Sequence, residues 1–309
     1  MSTTTEPSAA ATGGTVACIG VFDGVHLGHR ALMARARREA DARGLPLVAV
    51  TFDPHPMTVV SAQGAPTSLA SVGHRAALLR QAGADEVDVL RFDAAMAATD
   101  AADFVRDLLV DRLGVRAVVV GEDFRFGHRA RGNVATLAGL GRRWGFEAIS
   151  VPLAGRDEER WSSTLARRLV VEGDLRGAAA VLGRAYRLDG IVVHGDHRGR
   201  GLGFPTANLA WPDDPTIPAD GIYAGWLVVG DDRMAAAVSV GTNPQFGGSE
   251  RRVEAYVIGR TDLDLYGREA AIEFVERIRG QLTFPGVDAL IEQMTSDAAA
   301  ASTLLGRHA

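Results

Sequence analysis

The stretch G-V-F-D-G-V-H-L-G-H, from Gly20 to His29, decides the fold of the first half of the chain. It follows a short apolar run, Thr15–Ile19, and leads into a helical pattern that starts at Gly28. A glycine-rich turn between a strand and a helix brings free backbone N–H groups to the positive end of the helix dipole, which suits a phosphate group. The sequence therefore predicts an anion site directly after the first strand.

The same alternation of apolar runs and helical patterns continues to about Leu153. The strand candidates are Thr15–Ile19, Pro46–Phe52, Glu86–Phe92, Arg116–Val120 and Glu147–Val151, with helix candidates at Gly28–Arg43, Ser71–Ala82, Ala101–Leu113 and Val134–Trp144. Continuous β-branched runs such as Val118–Val120 suit strands that are covered on both faces. This order predicts a parallel, doubly wound, Rossmann-like sheet, in which ligands bind at the carboxyl ends of the strands.

The pattern changes after two short predicted helices, Ser163–Val171 and Leu175–Leu182. The β-like runs that follow are Arg187–Val193, Ile222–Val229, Met234–Val240, Val253–Ile258 and Ala270–Ile278, and a terminal helix is expected near Val287–Leu305. Short runs separated by turns predict a small closed antiparallel β-barrel. The fold class is thus α/β plus all-β, with a disordered tail at residues 1–13, a first domain at 14–182 and a second at 183–309.

Composition limits the possible functions. The chain has 309 residues, 47% of them hydrophobic and 23% charged, with a formal net charge of -5. A dedicated nucleic-acid binder usually has a basic surplus, so no nucleic-acid partner is expected. Cys18 is the single cysteine and is predicted to be a buried strand residue, not a nucleophile. Neither a secretory signal nor an apolar run of membrane-spanning length is evident, so a cytoplasmic protein with no membrane partner is expected.

His26 and His29 are the candidate catalytic residues of the first half. Two imidazoles at a helix start suit the donation of hydrogen bonds to a phosphate on which charge develops. Alone, this pair is equally compatible with a turn and a helix cap. Three further motifs fall where ligand-binding loops are expected: T-F-D-P-H-P (Thr51–Pro56), G-E-D-F-R-F-G (Gly121–Gly127) and S-S-T-L-A-R (Ser162–Arg167). Together they favour a nucleotide site.

These four motifs, in this order, resemble the adenylyltransferase module of bacterial bifunctional riboflavin kinase/FAD synthetases, within the H-x-G-H nucleotidyltransferase superfamily. The resemblance implies transfer of AMP from ATP to FMN, with His26 and His29 stabilising the developing charge. It assigns phosphate binding to Gly20, Phe22, Asp23, Gly28, Ser163, Thr164 and Arg167, and flavin binding to Asp53, Asp123, Phe124, Arg125, Phe126 and Gly127. Many relatives have Ile where Ala166 stands, which we interpret as a packing change.

A second glycine-rich loop, H-G-D-H-R-G-R-G-L-G-F-P-T-A-N, runs from His194 to Asn208. Gly199, Gly201 and Gly203 allow the backbone to wrap around an anion, although the spacing is not that of a P-loop. Thr206 and Asn208 alternate along an extended segment and offer neutral oxygens of the kind that Mg²⁺ binds. Glu254 is a candidate general base, although an exposed strand Glu in a salt bridge is the commoner reading of such a residue.

The second set of motifs resembles the riboflavin kinase module. They are G-R-G-L-G-F-P-T-A-N, G-I-Y-A-G (Gly221–Gly225), S-V-G-T-N-P (Ser239–Pro244), V-E-A-Y and D-L-Y-G (Asp264–Gly267). The resemblance implies that Thr206 and Asn208 hold Mg²⁺–ATP and that Glu254 activates the ribityl hydroxyl. It also implies that the 277–284 segment, with Arg279 and Phe284, closes over riboflavin. Many relatives have Asn, Thr and Glu where Ser239, Gln245 and Gln281 stand, which bears on flavin affinity.

The two resemblances together predict a bifunctional enzyme with riboflavin, FMN and ATP as ligands and Mg²⁺ as cofactor; transient self-association is left open. One alternative is an enzyme that retains only one activity. Another is a flavin-binding regulatory or carrier protein, against which the presence of His26, His29, Thr206, Asn208 and Glu254 together argues. A role in nucleic-acid chemistry, suggested by the kinship of H-x-G-H folds with tRNA ligases, is disfavoured by the net charge.

Overall fold

A computed structural model describes residues 13–152, 154–156, 159–195, 202–211, 213–242 and 251–306. Residues 1–12 of the predicted tail, Gly199, Gly201 and Gln245 lie outside the described residues. The chain forms two compact units. The first comprises the residues up to Pro66 together with Val72–Trp161, and the second comprises Thr67–Ser71 together with everything from Ser162 onward. The predicted domain bounds, 14–182 and 183–309, stay a prediction.

The first unit contains a five-stranded parallel sheet. Its strands are β1 (Thr15–Ile19), β2 (Leu47–Asp53), β3 (Glu86–Arg91), β4 (Val115–Gly121) and β5 (Glu147–Val151), in the spatial order β3-β2-β1-β4-β5. This confirms the predicted doubly wound α/β class, and each predicted strand lies within a residue or two of an observed one. A two-stranded ribbon, β6 (Gly155–Arg156) and β7 (Glu159–Arg160), follows and was not predicted.

The helices of the first unit connect these strands. They are α1 (Leu27–Arg43), α2 (Pro56–Val60), α3 (Val72–Gln81), α4 (Ala94–Ala98), α5 (Ala101–Phe104) and α6 (Val134–Trp144). A π-helical stretch, Val105–Arg112, continues α5, so the predicted helix over 101–113 has two geometries. The short helices α2 and α4 were missed because each spans five residues and has no buried face to give a periodic signal.

The two faces of the sheet pack into two separate cores. Along β1, Val16 and Cys18 lie in one core, and Ala17 and Ile19 lie in the other. Strands covered on both faces explain why these runs are continuously apolar and not alternating. Burial raises the pKa of the Cys18 thiol far above its usual range, so this side chain packs as a small apolar group, as predicted.

The second unit begins with α7 (Ser163–Glu172) and α8 (Leu175–Leu182) and continues into a closed six-stranded barrel. The barrel strands are β8 (Tyr186–Val193), β9 (Thr206–Ala210), β10 (Gly221–Val229), β11 (Asp232–Thr242), β12 (Arg251–Val257) and β13 (Glu269–Arg279), in the spatial order β10-β11-β12-β9-β8-β13. A terminal helix, α9 (Val287–Gly306), packs on the outer face through Ala301 and Leu305 against Ala224. The predicted barrel with its terminal helix is confirmed.

Alternating burial along the barrel strands separates the interior from the outer surface. In β9 the side chains of Ala207 and Leu209 are buried, whereas those of Thr206 and Asn208 face outward and are half-buried. Tyr223 and Phe274 are fully buried inside the barrel, with their rings 5.5 Å apart. The hydroxyl of Tyr223 donates a hydrogen bond to the Ala219 carbonyl at 2.5 Å, which satisfies its one polar atom.

The short segment Thr67–Ser71 belongs to the second unit by its contacts. Ser68 exchanges backbone hydrogen bonds with the 214–216 segment: its N–H donates to the Asp214 carbonyl at 2.9 Å, and its carbonyl accepts from the Thr216 N–H at 2.8 Å. The hydroxyls of Thr67 and Thr216 lie 2.9 Å apart. Nothing in the sequence predicted this pairing, because the two segments are about 150 residues apart.

Candidate active sites

The first site is positioned by the strand order of the parallel sheet. From β1 the chain continues to β2, which lies beside β1 toward one edge of the sheet. From β4 it continues to β5, which lies beside β4 toward the opposite edge. The chain thus reverses its direction of travel across the sheet between β1 and β4, and a crevice opens outside the carboxyl ends of strands at such a point. Gly20–His29 follows β1 and Gly121–Gly127 follows β4, so both predicted loops border this crevice.

The turn after β1 presents His26 at the start of α1. Phe22 and Gly24 have left-handed backbones, with φ of 54° and 74°, and a single 3-10 turn spans Asp23–Val25. His26 is the N-cap residue of α1, and its Nδ1 accepts a hydrogen bond from the backbone N–H of His29 at 3.3 Å. Because Nδ1 accepts, the proton of a neutral His26 is on Nε2, which leaves that atom as a donor.

The two histidines form one stacked pair. Their ring centroids are 3.7 Å apart with an interplanar angle of 23°, and the ring of Phe22 meets His29 edge-on at 5.2 Å. Burial, and then the nearby His26, lower the pKa of His29 well below its ordinary value. Within the described residues the Nδ1 atom of His29 is buried and has no hydrogen-bond partner. His29 is therefore neutral at pH 7 and retains an unused polar atom.

Gly28 allows this pair to pack closely. A Cβ atom at this position would lie 3.0 Å from the His26 ring and 3.3 Å from the carbonyl oxygen of Trp161. Both distances are shorter than ordinary contacts, so a larger residue would displace the imidazole or the backbone. This explains in physical terms why glycine separates the two histidines.

The turn is braced from the neighbouring strand and helix. The hydroxyl of Thr51 donates to the Val21 carbonyl at 2.8 Å. The buried Arg75 of α3 donates to the same carbonyl at 3.0 Å and to the Phe52 carbonyl at 3.1 Å. Sequence reasoning missed Arg75, because a cation within a helical pattern normally indicates a solvated face. Its contacts stabilise the ends of β1 and β2 against one another.

The residues predicted to contact flavin in the first unit have different environments. Asp53, Asp123 and Arg125 are exposed, and Phe124 is half-buried. Phe126 is buried and packs on Phe104 with 5.8 Å between ring centroids, and Phe124 stacks beside it at 5.4 Å. Phe126 therefore belongs to the core, and Phe124 offers the accessible aromatic surface of this loop.

The S-S-T-L-A-R motif lies at the start of α7, in the second unit. Ser162 is the N-cap residue, and its hydroxyl accepts a hydrogen bond from the Leu165 N–H at 3.1 Å. Ser163 and Thr164 are therefore the first residues of a ten-residue helix. The Nε of Arg167 donates to the Thr67 carbonyl at 2.7 Å. Ala166 is fully buried, in agreement with a packing role.

The second site is built by strand register on the outer face of the barrel. β9 and β12 are antiparallel neighbours, with Asn208 directly opposite Glu254 and Thr206 opposite Tyr256. The hydroxyl of Thr206 donates to the Glu254 carboxylate at 3.2 Å. The structure thus brings together the threonine, the asparagine and the carboxylate that the sequence separates by nearly fifty residues.

The glycine-rich loop begins immediately beside Asn208. A Cβ atom at Gly195 would overlap the Asn208 amide, 2.7 Å from its Cγ, so the chain passes over this side chain as bare backbone. Downstream, Gly203 has a φ of 84°, and the ring of Phe204 lies 4.9 Å from that of Tyr256. Gly199 and Gly201 fall outside the described residues.

Arg279, predicted to contact flavin, is anchored by a residue that sequence reasoning missed. Asp297 of α9 is only 4% exposed, and its two carboxylate oxygens accept from the Arg279 Nε at 2.9 Å and Nη2 at 2.5 Å. The Gln293 amide adds a third hydrogen bond to Asp297 at 2.9 Å. The guanidinium also lies 6.0 Å from the Phe284 ring. A nearly buried acid in a terminal helix gives no sequence signal of its partner.

The donor set of the second site fits a hard cation. Mg²⁺ takes oxygen ligands and keeps several waters, so two neutral protein oxygens are sufficient when ATP phosphates complete the shell. Thr206 and Asn208 supply such oxygens, and the Glu254 carboxylate lies beside them. Across the part of the chain that the structure describes, no three His, Cys, Asp or Glu side chains cluster as a self-sufficient metal site requires.

No helix among the described residues combines the length and the apolar character needed to cross a membrane. The cytoplasmic location expected from the sequence stays a prediction.

Comparison with known protein families agrees with the two-part division. Residues 8–165 match the family model for FAD synthetase, and residues 182–305 match the family model for riboflavin kinase. A bifunctional riboflavin kinase/FMN adenylyltransferase from Escherichia coli K12 is 34% identical over 95% of this chain and 93% of its own length. One of the same name from Listeria monocytogenes is 36% identical over 91% of this chain and 90% of its own.

A solved structure with a similar fold comes from Streptococcus pneumoniae. It superposes with a TM-score of 0.84 and 29% sequence identity, and the match covers 95% of each chain. That protein is described as a macrolide-efflux protein. The likeness extends over both units, so the order of the two folds in one polypeptide is shared.

Proposed function

The chain belongs to the bifunctional riboflavin kinase/FMN adenylyltransferase family, and we propose that it carries out both reactions of that name. The first reaction phosphorylates riboflavin with ATP and gives FMN and ADP. The second transfers AMP from a further ATP to FMN and gives FAD and pyrophosphate. The observation that carries the proposal is the pairing of Asn208 with Glu254 across β9 and β12, while a separate histidine pair begins α1.

The kinase reaction is assigned to the outer face of the barrel. Glu254 accepts the proton of the ribityl hydroxyl as that oxygen attacks the terminal phosphorus of ATP. Thr206 orients the carboxylate by its hydrogen bond at 3.2 Å. Thr206 and Asn208 would hold Mg²⁺, which when bound neutralises charge on the ATP phosphates. Arg279 and Phe284 border the flavin side, with Arg279 held in place by Asp297.

The adenylyl transfer is assigned to the crevice beside β1. The FMN phosphate attacks the α-phosphorus of ATP, and no covalent enzyme intermediate is needed. His26 donates from Nε2, and the neutral His29 donates a hydrogen bond to the phosphate oxygens as charge develops on them. Gly20, Phe22, Asp23 and Gly28 shape the backbone around the phosphates. The roles of Ser163, Thr164 and Arg167 toward the leaving pyrophosphate are carried over from the motif alone.

Flavin contacts of the transferase are proposed for the loop after β4 and the end of β2. Phe124 offers a half-buried ring for stacking. The same loop contains Asp123, Arg125 and Gly127, and Asp53 ends β2 at the same edge of the sheet. Phe126 supports Phe124 from the core by stacking at 5.4 Å. Aromatic stacking of this kind is common where proteins bind planar ring systems.

Product analysis by chromatography tests the proposal. The purified chain is incubated with ATP and Mg²⁺, first with riboflavin and then with FMN. We expect FMN and then FAD in the first incubation, and FAD in the second. Accumulation of FMN without FAD would limit the chain to the kinase reaction, and flavin binding without any product would favour a carrier protein.

A further inference from the structure

The segment that follows β13, residues 280–284, is held by hydrogen bonds to two other elements, α9 and β11. On one side Arg279 is held by the buried Asp297 of α9, as described above. On the other side the amide Nε2 of Gln281 donates a hydrogen bond to the Val240 carbonyl of β11 at 2.9 Å and lies 3.4 Å from the Ser239 hydroxyl. The segment therefore has a defined position across the edge of the barrel.

The Gln281 side chain approaches β11 closely at Gly241. A Cβ atom at Gly241 would lie 2.8 Å from the Gln281 Nε2, which is closer than real Cβ contacts come. The amide thus lies directly over the backbone of residues 240–241.

The Gln281 contact lies one strand away from the carboxylate assigned as the base. Ser239 of β11 is directly opposite Glu254 of β12. Residues directly opposite on antiparallel strands share a face, with Cβ atoms about 4.5–5.5 Å apart. Gln281, Ser239, Glu254 and Asn208 therefore form a row across three strands and the segment that crosses them.

The two fastenings differ in burial. Asp297 is almost inaccessible to water, and its pair with Arg279 has two parallel hydrogen bonds, which makes it the stronger one. Gln281 is exposed, and its contact with Val240 is a neutral hydrogen bond. The segment is thus fixed at Arg279 and held by a weaker, replaceable contact at Gln281.

We propose that Gln281 is a positioning residue for the acceptor alcohol of the kinase reaction, an inference that rests on the proposed function of Glu254. By tying the 280–284 segment to β11, Gln281 sets the distance between the flavin side of the site and the carboxylate. The contact needs a donor, since the Val240 group is a carbonyl oxygen. An ionised glutamate at this position has only acceptor oxygens in its side chain and cannot make the contact.

The test compares Gln281→Glu and Gln281→Ala with the unaltered chain in the kinase reaction. We expect the KM for riboflavin to rise by about three- to tenfold, the range for loss of one neutral hydrogen bond, in both variants. The kcat and the KM for ATP should stay within about twofold, because the base and the Mg²⁺–ATP ligands are unchanged. Gln63→Glu, an exposed glutamine of the first unit, makes the same change of charge and should leave all three constants unaltered.

The results distinguish the positioning role from a general loss of structure and from failure of the proposed function. An unchanged riboflavin KM in both variants overturns the positioning role, and so does an equal rise in the KM for ATP. Thermal unfolding of each variant identifies a general loss of structure, and Ser239→Ala, which keeps the Val240 contact, should raise the riboflavin KM by less than either Gln281 variant. Failure of the unaltered chain to phosphorylate riboflavin would instead reject the proposed function itself.

Discussion

The first unit forms its candidate site from backbone at the end of a parallel sheet, whereas the second forms its own from side chains on the outside of a barrel. At the first, a left-handed turn at Phe22 and Gly24 and the start of α1 direct N–H groups and two imidazoles to one point. At the second, Thr206, Asn208 and Glu254 are set by the register of β9 and β12.

Under the proposed function, the two sites handle a triphosphate in two different ways. At the first site, a helix start and neutral imidazoles are proposed to stabilise phosphate charge through hydrogen bonds, with Arg167 assigned to the leaving pyrophosphate from its motif. At the second site, the neutral oxygens of Thr206 and Asn208 are proposed to bind a metal ion that then meets the phosphates, beside the carboxylate proposed as the base. Each change below is chosen so that one site fails and the other, in the same polypeptide, serves as its control.

Glu254→Ala should have the largest effect. Removal of a general base typically costs about 100- to 10,000-fold in turnover, so riboflavin phosphorylation should fall by that amount. Adenylylation of FMN supplied from outside should continue at its original rate. Glu269→Ala, which removes an exposed barrel glutamate, is the matched control. A kinase rate that is unchanged in Glu254→Ala would show that this carboxylate is not the general base.

His29→Ala should produce the reverse result with a somewhat smaller loss. Removal of one preorganised donor typically lowers turnover by about 100- to 1,000-fold, here in the conversion of FMN to FAD. FMN formation from riboflavin should be unaffected. His74→Ala on α3 gives a histidine control in the same unit. FAD synthesis at the original rate in His29→Ala would contradict the site assignment.

Asn208→Ala should weaken the use of Mg²⁺–ATP by the kinase alone. Loss of one ligand or its support typically lowers metal affinity by roughly 10- to 100-fold, so the Mg²⁺ dependence of FMN formation should shift to higher concentration. The Mg²⁺ dependence of FAD formation is measured in parallel and should not move. Equal shifts in both reactions would mean that Asn208 acts through general stability.

The smallest effect concerns the stability of the first unit below neutral pH. Because burial lowers the pKa of His29 in the folded state, the unfolded chain binds a proton in the window below about 6.5 that the folded chain excludes. Stability should therefore fall as the pH falls through that window, by at most about 1.4 kcal/mol per pH unit, and be insensitive to His29 above it. Urea unfolding of the wild type and of His29→Gln is measured between pH 5 and pH 8. The free energy of unfolding should depend more steeply on pH in the wild type than in the variant below the window's upper limit, and equally in both above it.

Local patterns predicted most of the fold. β1 was predicted with its observed bounds, because a five-residue apolar run between polar turns leaves little choice of boundary. β9 was missed as a strand, since Thr206–Ala210 is short, follows Pro205 and was interpreted only as a ligand-binding segment. The prediction that Thr206 and Asn208 face the same way along an extended segment was nevertheless correct. What it lacked was the neighbouring strand, β12.

Contacts between distant segments could not be predicted. The register that places Asn208 opposite Glu254 depends on the pairing of β9 with β12, and the pair Arg279–Asp297 depends on where α9 docks. Arg251 is a further example: its guanidinium donates to the Pro218 carbonyl at 2.6 Å and to the Asp220 carboxylate at 2.7 Å. Each of these contacts depends on how the whole barrel packs, and local sequence patterns do not predict that packing.

The alternation of inward and outward side chains in β12 makes the kinase reaction sensitive to a one-residue shift in the register of that strand. Val253 and Ala255 point into the barrel, and Glu254 between them points out. One residue inserted just before Glu254, with the preceding part of β12 kept in place, would turn the carboxylate toward the apolar interior and leave Asn208 without its neighbour. Insertion of one codon there would abolish phosphorylation of the alcohol even though every residue named in the chemistry was still encoded.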